Sequence, residues 1–250
     1  MKTFTYAIIH GSWQCSKDWD LIAQGLANKG HDVKLIDLPG HGKNRHDLFS
    51  HITFNTYVNY VCNALDNRKK NQPLILVGHS FSGLVISKVV EYISVDNLVY
   101  ITAFLPKNND SLLSLMTMNN IPGLINHIVI DKQSHATYLK KEGLSSILFT
   151  GCDETITMKK LEMLQPEPIY PPSEKIAINE SLLHQIAKDY IECTHDNCIS
   201  LTMQRNMHER YQCQTHSLPT GHSPFLSTPE KLITILTTKL SILVKNYSVL

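Results

Sequence analysis

Short apolar runs alternate along the chain with segments whose apolar residues recur every three or four positions. Tyr6–His10, Val33–Asp37, Leu74–Gly78, Leu98–Thr102 and Tyr190–Cys193 are near-continuous apolar stretches rich in β-branched residues. Runs of that kind predict strands covered on both faces, as in a parallel sheet. A sixth strand is predicted over Tyr211–His216. Between the strands, Trp19–Asn28, Tyr57–Asp66, Ser82–Ile93 and Met203–Glu209 are patterned or placed as crossover helices. Pro229 opens a last amphipathic helix through about Val244, with Leu232, Ile233, Leu236, Leu240 and Leu243 three or four apart. Repeated βα units of this kind specify right-handed crossovers and a mostly parallel, six-stranded α/β sheet flanked by helices.

The rhythm breaks between Pro106 and Ile186. Leu112–Met118 is followed by Ile121-Pro122-Gly123, and later by the proline-rich Pro166-Glu167-Pro168-Ile169-Tyr170-Pro171-Pro172. So long a stretch is not a connecting loop, because loops beyond about 12–15 residues are uncommon. It predicts a helical insertion over residues 107–186, a lid across one edge of the sheet, leaving 1–106 and 187–250 as the core.

Composition narrows the partners. Lys plus Arg number 23 against 22 Asp plus Glu, a formal charge of +1, which leaves no basic footprint for nucleic acid. Hydrophobic residues at 42% and charged residues at 18% supply enough apolar matter for a packed core. No apolar stretch approaches the ~20 residues of a membrane span. Residues Met1–Gly11 read as a first strand and not as a secretion signal. The expectation is a cytoplasmic protein with neither membrane nor nucleic-acid partner, its six cysteines reduced. The 13 histidines raise the question of metal. His208-Glu209-Arg210-Tyr211-Gln212 begins like a zinc motif, but Gln212 stands where the second histidine must be, and Cys193 and Cys198 are too widely spaced for a knuckle. No metal and no cofactor are expected.

The strongest local signal is Gly78-His79-Ser80-Phe81-Ser82, which follows an apolar strand and opens a helix. That context suits a nucleophile elbow, where a serine sits at a strained apex and small residues are needed two positions to either side. Ser82 replaces the second glycine of the usual pattern. A serine hydroxyl needs a base, and the base needs a carboxylate to fix its tautomer. Downstream, Asp196 follows the strand ending at Cys193, and His222 lies on the loop Thr220-Gly221-His222-Ser223. The order Ser, acid, His is that of this fold, and both loops lie beyond carboxyl ends of strands, where open parallel sheets bind ligands. Glu192 and Asp153 are competing acids. Donors for an oxyanion are expected from the Phe81 N–H and, because Gly11 lets the backbone turn in close, from the Ser12 N–H. The first and third strands would then be neighbours, their loops facing each other across the crevice.

His10-Gly11-Ser12-Trp13, Asp37-Leu38-Pro39-Gly40-His41-Gly42, Gly78-His79-Ser80, Ala103-Phe104-Leu105-Pro106, Cys193-Thr194-His195-Asp196 and Gly221-His222-Ser223 occur in that order. Together they resemble the α/β-hydrolase superfamily over nearly the whole chain, in the branch of plant methyl esterases of the salicylate-binding type, hydroxynitrile lyases and related bacterial esterases. The resemblance implies an α/β-hydrolase fold with Ser80 as nucleophile, His222 as general base and acid, Asp196 as orienting carboxylate, and the Ser12 and Phe81 amides as oxyanion hole. It implies a serine esterase that cleaves small to medium hydrophobic or aryl esters, methyl esters among them, through an acyl-enzyme. A receptor-like protein that keeps the triad with little turnover is the alternative. A hydroxynitrile lyase is disfavoured, because Gly11 and Ser223 stand where those enzymes carry a threonine and a lysine. Expected pocket residues are Gly11, Trp13, Cys15, Leu115, Met118, Leu124, Leu148 and Met163. The partner is a small-molecule ester, and the resembling group adds a homodimer as an expectation.

Overall fold

The computed structural model describes residues 2–45, 49–118 and 122–242. Its main sheet is built from β1 (Thr5–Ile9), β2 (Asp32–Ile36), β3 (Leu74–His79), β4 (Asn97–Ile101), β8 (Ala187–Cys193) and β9 (Gln214–Leu218), in the order β2-β1-β3-β4-β8-β9. Every neighbouring pair runs parallel. The apolar runs are continuous because both faces are covered. Ala7, Ile9, Leu74, Leu76, Leu98 and Tyr100 belong to one buried cluster, and the alternating Tyr6, Ile8, Ile75, Val77, Val99 and Ile101 to a second.

Helices α1 (Asp20–Ala27), α2 (Phe54–Asp66) and α3 (Ser82–Val89) follow β1, β2 and β3. Helix α2 starts earlier than its apolar pattern predicts, because the Thr53 hydroxyl accepts the Thr56 N–H at 3.1 Å and caps it. The segment between β4 and β8 holds α4 (Leu112–Met118), α5 (Pro122–Ile125), α6 (Ser145–Leu148), α7 (Glu154–Glu162), α8 (Tyr170–Ser173) and α9 (Glu180–Gln185). It also holds β5 (Ile128–Asp131), β6 (Ala136–Leu139) and β7 (Glu167–Pro168), paired as an antiparallel sheet. The expected insertion of helices alone is corrected here. β6 and β7 carry no apolar run to announce them, and in β5 the run is only Ile128-Val129-Ile130, three residues that a helical reading absorbs.

After β8 come α10 (Leu201–Arg210), α11 (Pro224–Ser227) and α12 (Pro229–Thr238). The sixth strand starts at Gln214 and not at Tyr211, because α10 runs to Arg210 and Gln212, at φ +51°, turns the chain. The last helix ends at Thr238 with Lys239 as its C-cap, short of the expected Val244, and Leu243 and Val244 lie outside the described residues, as does Ile121. Helices α1 and α12 cover the second face through Ile22, Leu26, Leu232 and Leu236. The strand order reverses between β1 and β3, whose ends meet with Ile9 opposite Gly78. The loops leaving these two strands therefore face one crevice.

Candidate active site

Ser80 stands at the apex between β3 and α3 with φ +52°, a left-handed conformation that a serine adopts only when its surroundings enforce it. The turn is fixed from within, by the Ser80 carbonyl accepting the Gly83 N–H at 3.1 Å and the Phe104 N–H at 3.0 Å. A side chain at Gly83 would run into the Phe104 carbonyl oxygen. Steric demand therefore falls on position 83 as well as on Gly78, where a Cβ would sit 2.8 Å from the Ser82 carbonyl oxygen. At position 82 a serine fits, and its hydroxyl donates to the His10 carbonyl oxygen, tying the elbow to the loop after β1.

His222 bridges the serine and the acid. Its Nε2 lies 3.1 Å from Ser80 Oγ and its Nδ1 lies 2.7 Å from Asp196 Oδ2. Asp196 is buried and accepts three further bonds, from the Thr102 hydroxyl, the Cys198 N–H at 2.7 Å and the Ile199 N–H at 2.9 Å. Burial alone would lower the His222 pKa, but the Asp196 carboxylate, with Cys198 beside it, holds it well above the usual histidine range. The neighbouring histidines go the other way. Burial pushes His10 down to about 4, with His41 adding to the effect, and pushes His79 well below its ordinary value, with His222 adding. His79 Nε2 donates to the His222 carbonyl oxygen at 2.8 Å, and His10 Nε2 accepts the Leu38 N–H at 3.0 Å, so both brace loops.

The competing acids have other partners. Glu192 binds Arg205 at 3.1 and 3.0 Å and Ser217 at 2.7 Å, with His208 Nε2 3.3 Å away. Asp153 caps α7, accepting the Thr155 N–H at 2.9 Å.

Gly11 lets the loop after β1 press on the elbow, since a Cβ there would sit 2.8 Å from His79 Nδ1 and 3.0 Å from Ser80 Cβ. Neither the Ser12 nor the Phe81 N–H has a protein acceptor among the described residues. A narrow cavity beside Ser80 and His222 is lined by Ser12, Trp13, Phe104, Leu112, Met116, Leu124, Leu148 and Cys198, among others. Of the expected pocket residues, Trp13, Leu124 and Leu148 line it. Met163 lines an adjoining cavity that shares Trp13 and Gln14.

Four expectations are corrected. Gly11 packs against the elbow without lining the cavity. Cys15 opens a 3₁₀ turn and gives its N–H to Asp18 at 3.1 Å. On α4 the cavity takes Leu112 and Met116, four residues apart on one face; Leu115 is buried in the core cluster without lining the cavity, and Met118 is 66% exposed. Sequence reasoning missed Gln14, Phe104, Leu112, Cys198 and Thr102 as site residues. Helical spacing within Leu112–Met118 was the one signal that could have found Leu112 together with Met116.

Residues 8–235 match the model of the Alpha/beta hydrolase family. The chain is 24% identical over 244 residues to the putative methylesterase 11, chloroplastic, of Arabidopsis thaliana, covering 93% of this chain and 63% of that protein. It is 32% identical over 116 residues to the carbendazim hydrolyzing esterase of Nocardioides sp. (strain SG-4G), covering 44% of this chain and 46% of that protein. The chain thus spans less than two thirds of the length of either relative. The crystal structure of a pyrethroid hydrolase from Sphingobium faniae JZ-2 superposes with a TM-score of 0.83 at 22% identity, over 94% of this chain and 96% of that one. The likeness is one of fold.

Proposed function

The chain belongs to the Alpha/beta hydrolase family, and from that premise we propose that it is a serine esterase acting on small to medium hydrophobic or aryl carboxylic esters, methyl esters among them. The observation that carries this reading is the unbroken line from Asp196 through His222 to Ser80, at 2.7 and 3.1 Å, beside two N–H groups without a protein acceptor among the described residues. Ser80 Oγ attacks the ester carbonyl carbon while His222 Nε2 takes the hydroxyl proton. The Ser12 and Phe81 N–H groups hold the resulting oxyanion. Asp196 stabilises the imidazolium and keeps its tautomer. His222 then gives its proton to the departing alkoxide, which leaves as the alcohol, and Ser80 remains acylated. Water, deprotonated by the same nitrogen, attacks the acyl carbon, and the acid departs as Ser80 Oγ regains the proton.

The substrate class follows from the apolar lining, with Phe104, Leu112, Met116, Leu124 and Leu148 facing the reacting groups. In this reading residues 107–186 act as the lid, since they supply Leu112, Met116, Leu124 and Leu148. The relatives' names, methylesterase and esterase, point the same way. A panel of p-nitrophenyl and aryl methyl esters, assayed with wild type and Ser80→Ala, is the test. Turnover by wild type, lost in Ser80→Ala, is the expected result. Ligand binding without turnover would favour a receptor and sink the esterase reading.

A further inference from the structure

In the loop after β1 the main-chain N–H groups of Gly11, Trp13, Gln14, Cys15 and Ser16 all have acceptors, and that of Ser12 has none among the described residues. Gly11 gives its N–H to Gln14 Oε1 at 3.2 Å, and its carbonyl oxygen accepts from the Gln14 N–H at 3.3 Å and faces His10 Nδ1 at 2.8 Å. Trp13 gives its N–H to Glu167 at 3.1 Å and its indole N–H to Thr137 at 3.1 Å, and its carbonyl oxygen accepts the Gln165 N–H at 2.7 Å. The Cys15 and Ser16 N–H groups go to Asp18 and Asp37 at 3.1 and 2.7 Å. Ser12 alone keeps both donors unspent. Its N–H has no protein acceptor, and its Oγ is one of two buried side-chain polar atoms without a hydrogen-bond partner among the described residues. The other, Trp19 Nε1, belongs to the apolar cluster on the opposite face of the sheet.

A buried hydroxyl without a partner costs free energy, and protein interiors seldom tolerate one without a reason. Ser12 lines the same cavity as Ser80 and His222, where the surrounding side chains are largely apolar. What enters the cavity can supply the acceptor its hydroxyl lacks. The acceptor that develops there during the proposed reaction is the oxyanion, formed beside the backbone N–H of the same residue. We propose that the Ser12 hydroxyl is a third donor to the oxyanion, a catalytic side chain added to the two backbone amides. It keeps its proton throughout, donating a hydrogen bond that strengthens as the carbonyl oxygen gains charge. This inference rests on the proposed serine mechanism.

Three variants test it, Ser12→Ala, Ser12→Gly and Ser12→Thr, the last restoring a hydroxyl. Ser12→Ala and Ser12→Gly are expected to lose about 10²-fold in kcat, with KM changed less than about threefold. Ser12→Thr should recover most of that loss. A trifluoromethyl ketone that adds to Ser80 as a hemiketal should bind Ser12→Ala more weakly by the same factor as kcat/KM falls. Thermal midpoints should be unchanged or raised in Ser12→Ala, since an unpaired buried hydroxyl is removed. A role in packing alone predicts a lowered midpoint with no parallel loss of inhibitor affinity. Wild-type kcat in Ser12→Ala, or a loss confined to KM, overturns the proposal while leaving the esterase reading intact. If wild type neither turns over any ester nor reacts with a fluorophosphonate at Ser80, both fall together.

Discussion

Position 196 decides what His222 can do. The carboxylate holds the imidazole through Nδ1, so that Nε2 faces Ser80 as the acceptor the proposed reaction needs. In Asp196→Asn the amide can present an N–H to Nδ1 and favour the wrong tautomer. Turnover should then fall by about 10³–10⁴-fold with the fold retained, judged by an unchanged far-UV spectrum. The same pair fixes two signs of pH dependence. A raised His222 pKa means that the base is freed only as pH climbs, so the acid limb of kcat/KM should lie above the ordinary histidine value of about 6.5. The imidazolium–carboxylate attraction contributes stability below that ordinary value and loses it as pH rises through the higher folded one. A kcat/KM profile with its acid limb below pH of about 6 would contradict the assignment. Ser80, Asp196 and His222 were legible in the sequence because each sits on a loop beyond a strand end. Thr102 and Gln14 were not, because no motif marks them and only the folded chain brings them to Asp196 and His79, 94 and 65 residues away.

At the scale of elements, β7 clamps the loop that carries Ser12. Glu167 is fully buried and gathers the Trp13 N–H at 3.1 Å, the Tyr57 hydroxyl at 2.9 Å and His41 Nε2 at 3.2 Å. Burial opposes the charge, yet His41 and the other donors outweigh it and hold the carboxyl below its usual range. A depressed carboxyl pKa contributes stability above its unfolded value, and that contribution disappears as pH falls through the folded one. Glu167→Gln should accordingly cost about 1–3 kcal/mol at neutral pH, since a neutral amide replaces an ionised acceptor of three bonds. The difference in thermal midpoint between wild type and variant should shrink on acidification below about pH 4. A midpoint difference that stays constant with pH would show the carboxylate to be a bystander. None of this was readable beforehand. Prolines on both sides of Glu167 mark a break in regular structure, but only the folded chain sets that two-residue strand against β6 and Trp13.

For the whole molecule, the question is whether residues 107–186 form a unit of their own. The broken rhythm after Pro106 marks where the pattern changes, and periodicity says nothing about what a helix packs on. The buried cluster gives the missing information. It runs without interruption from Ala7, Ile36, Val61 and Leu76 into Leu112, Met116, Leu124, Leu144, Leu148 and Leu183. Lys160 and Asp18 add a tie at 2.6 Å between α7 and the turn before α1. A segment that shares its core with the sheet cannot bury its apolar surface alone, so it should unfold with the sheet in one cooperative step. The two tryptophans make this measurable. Trp13 sits at the seam, bonded to Thr137 and Glu167, while Trp19 packs on the opposite face of the sheet. Urea unfolding followed by far-UV circular dichroism and by tryptophan fluorescence should give superimposable curves. Trp13→Phe, which leaves Trp19 as the only tryptophan, should shift both curves together when fluorescence is excited at the red edge of tryptophan absorption. A fluorescence transition from Trp13 that precedes the loss of secondary structure would mean that the segment detaches first, as a separate lid and not as part of a common core.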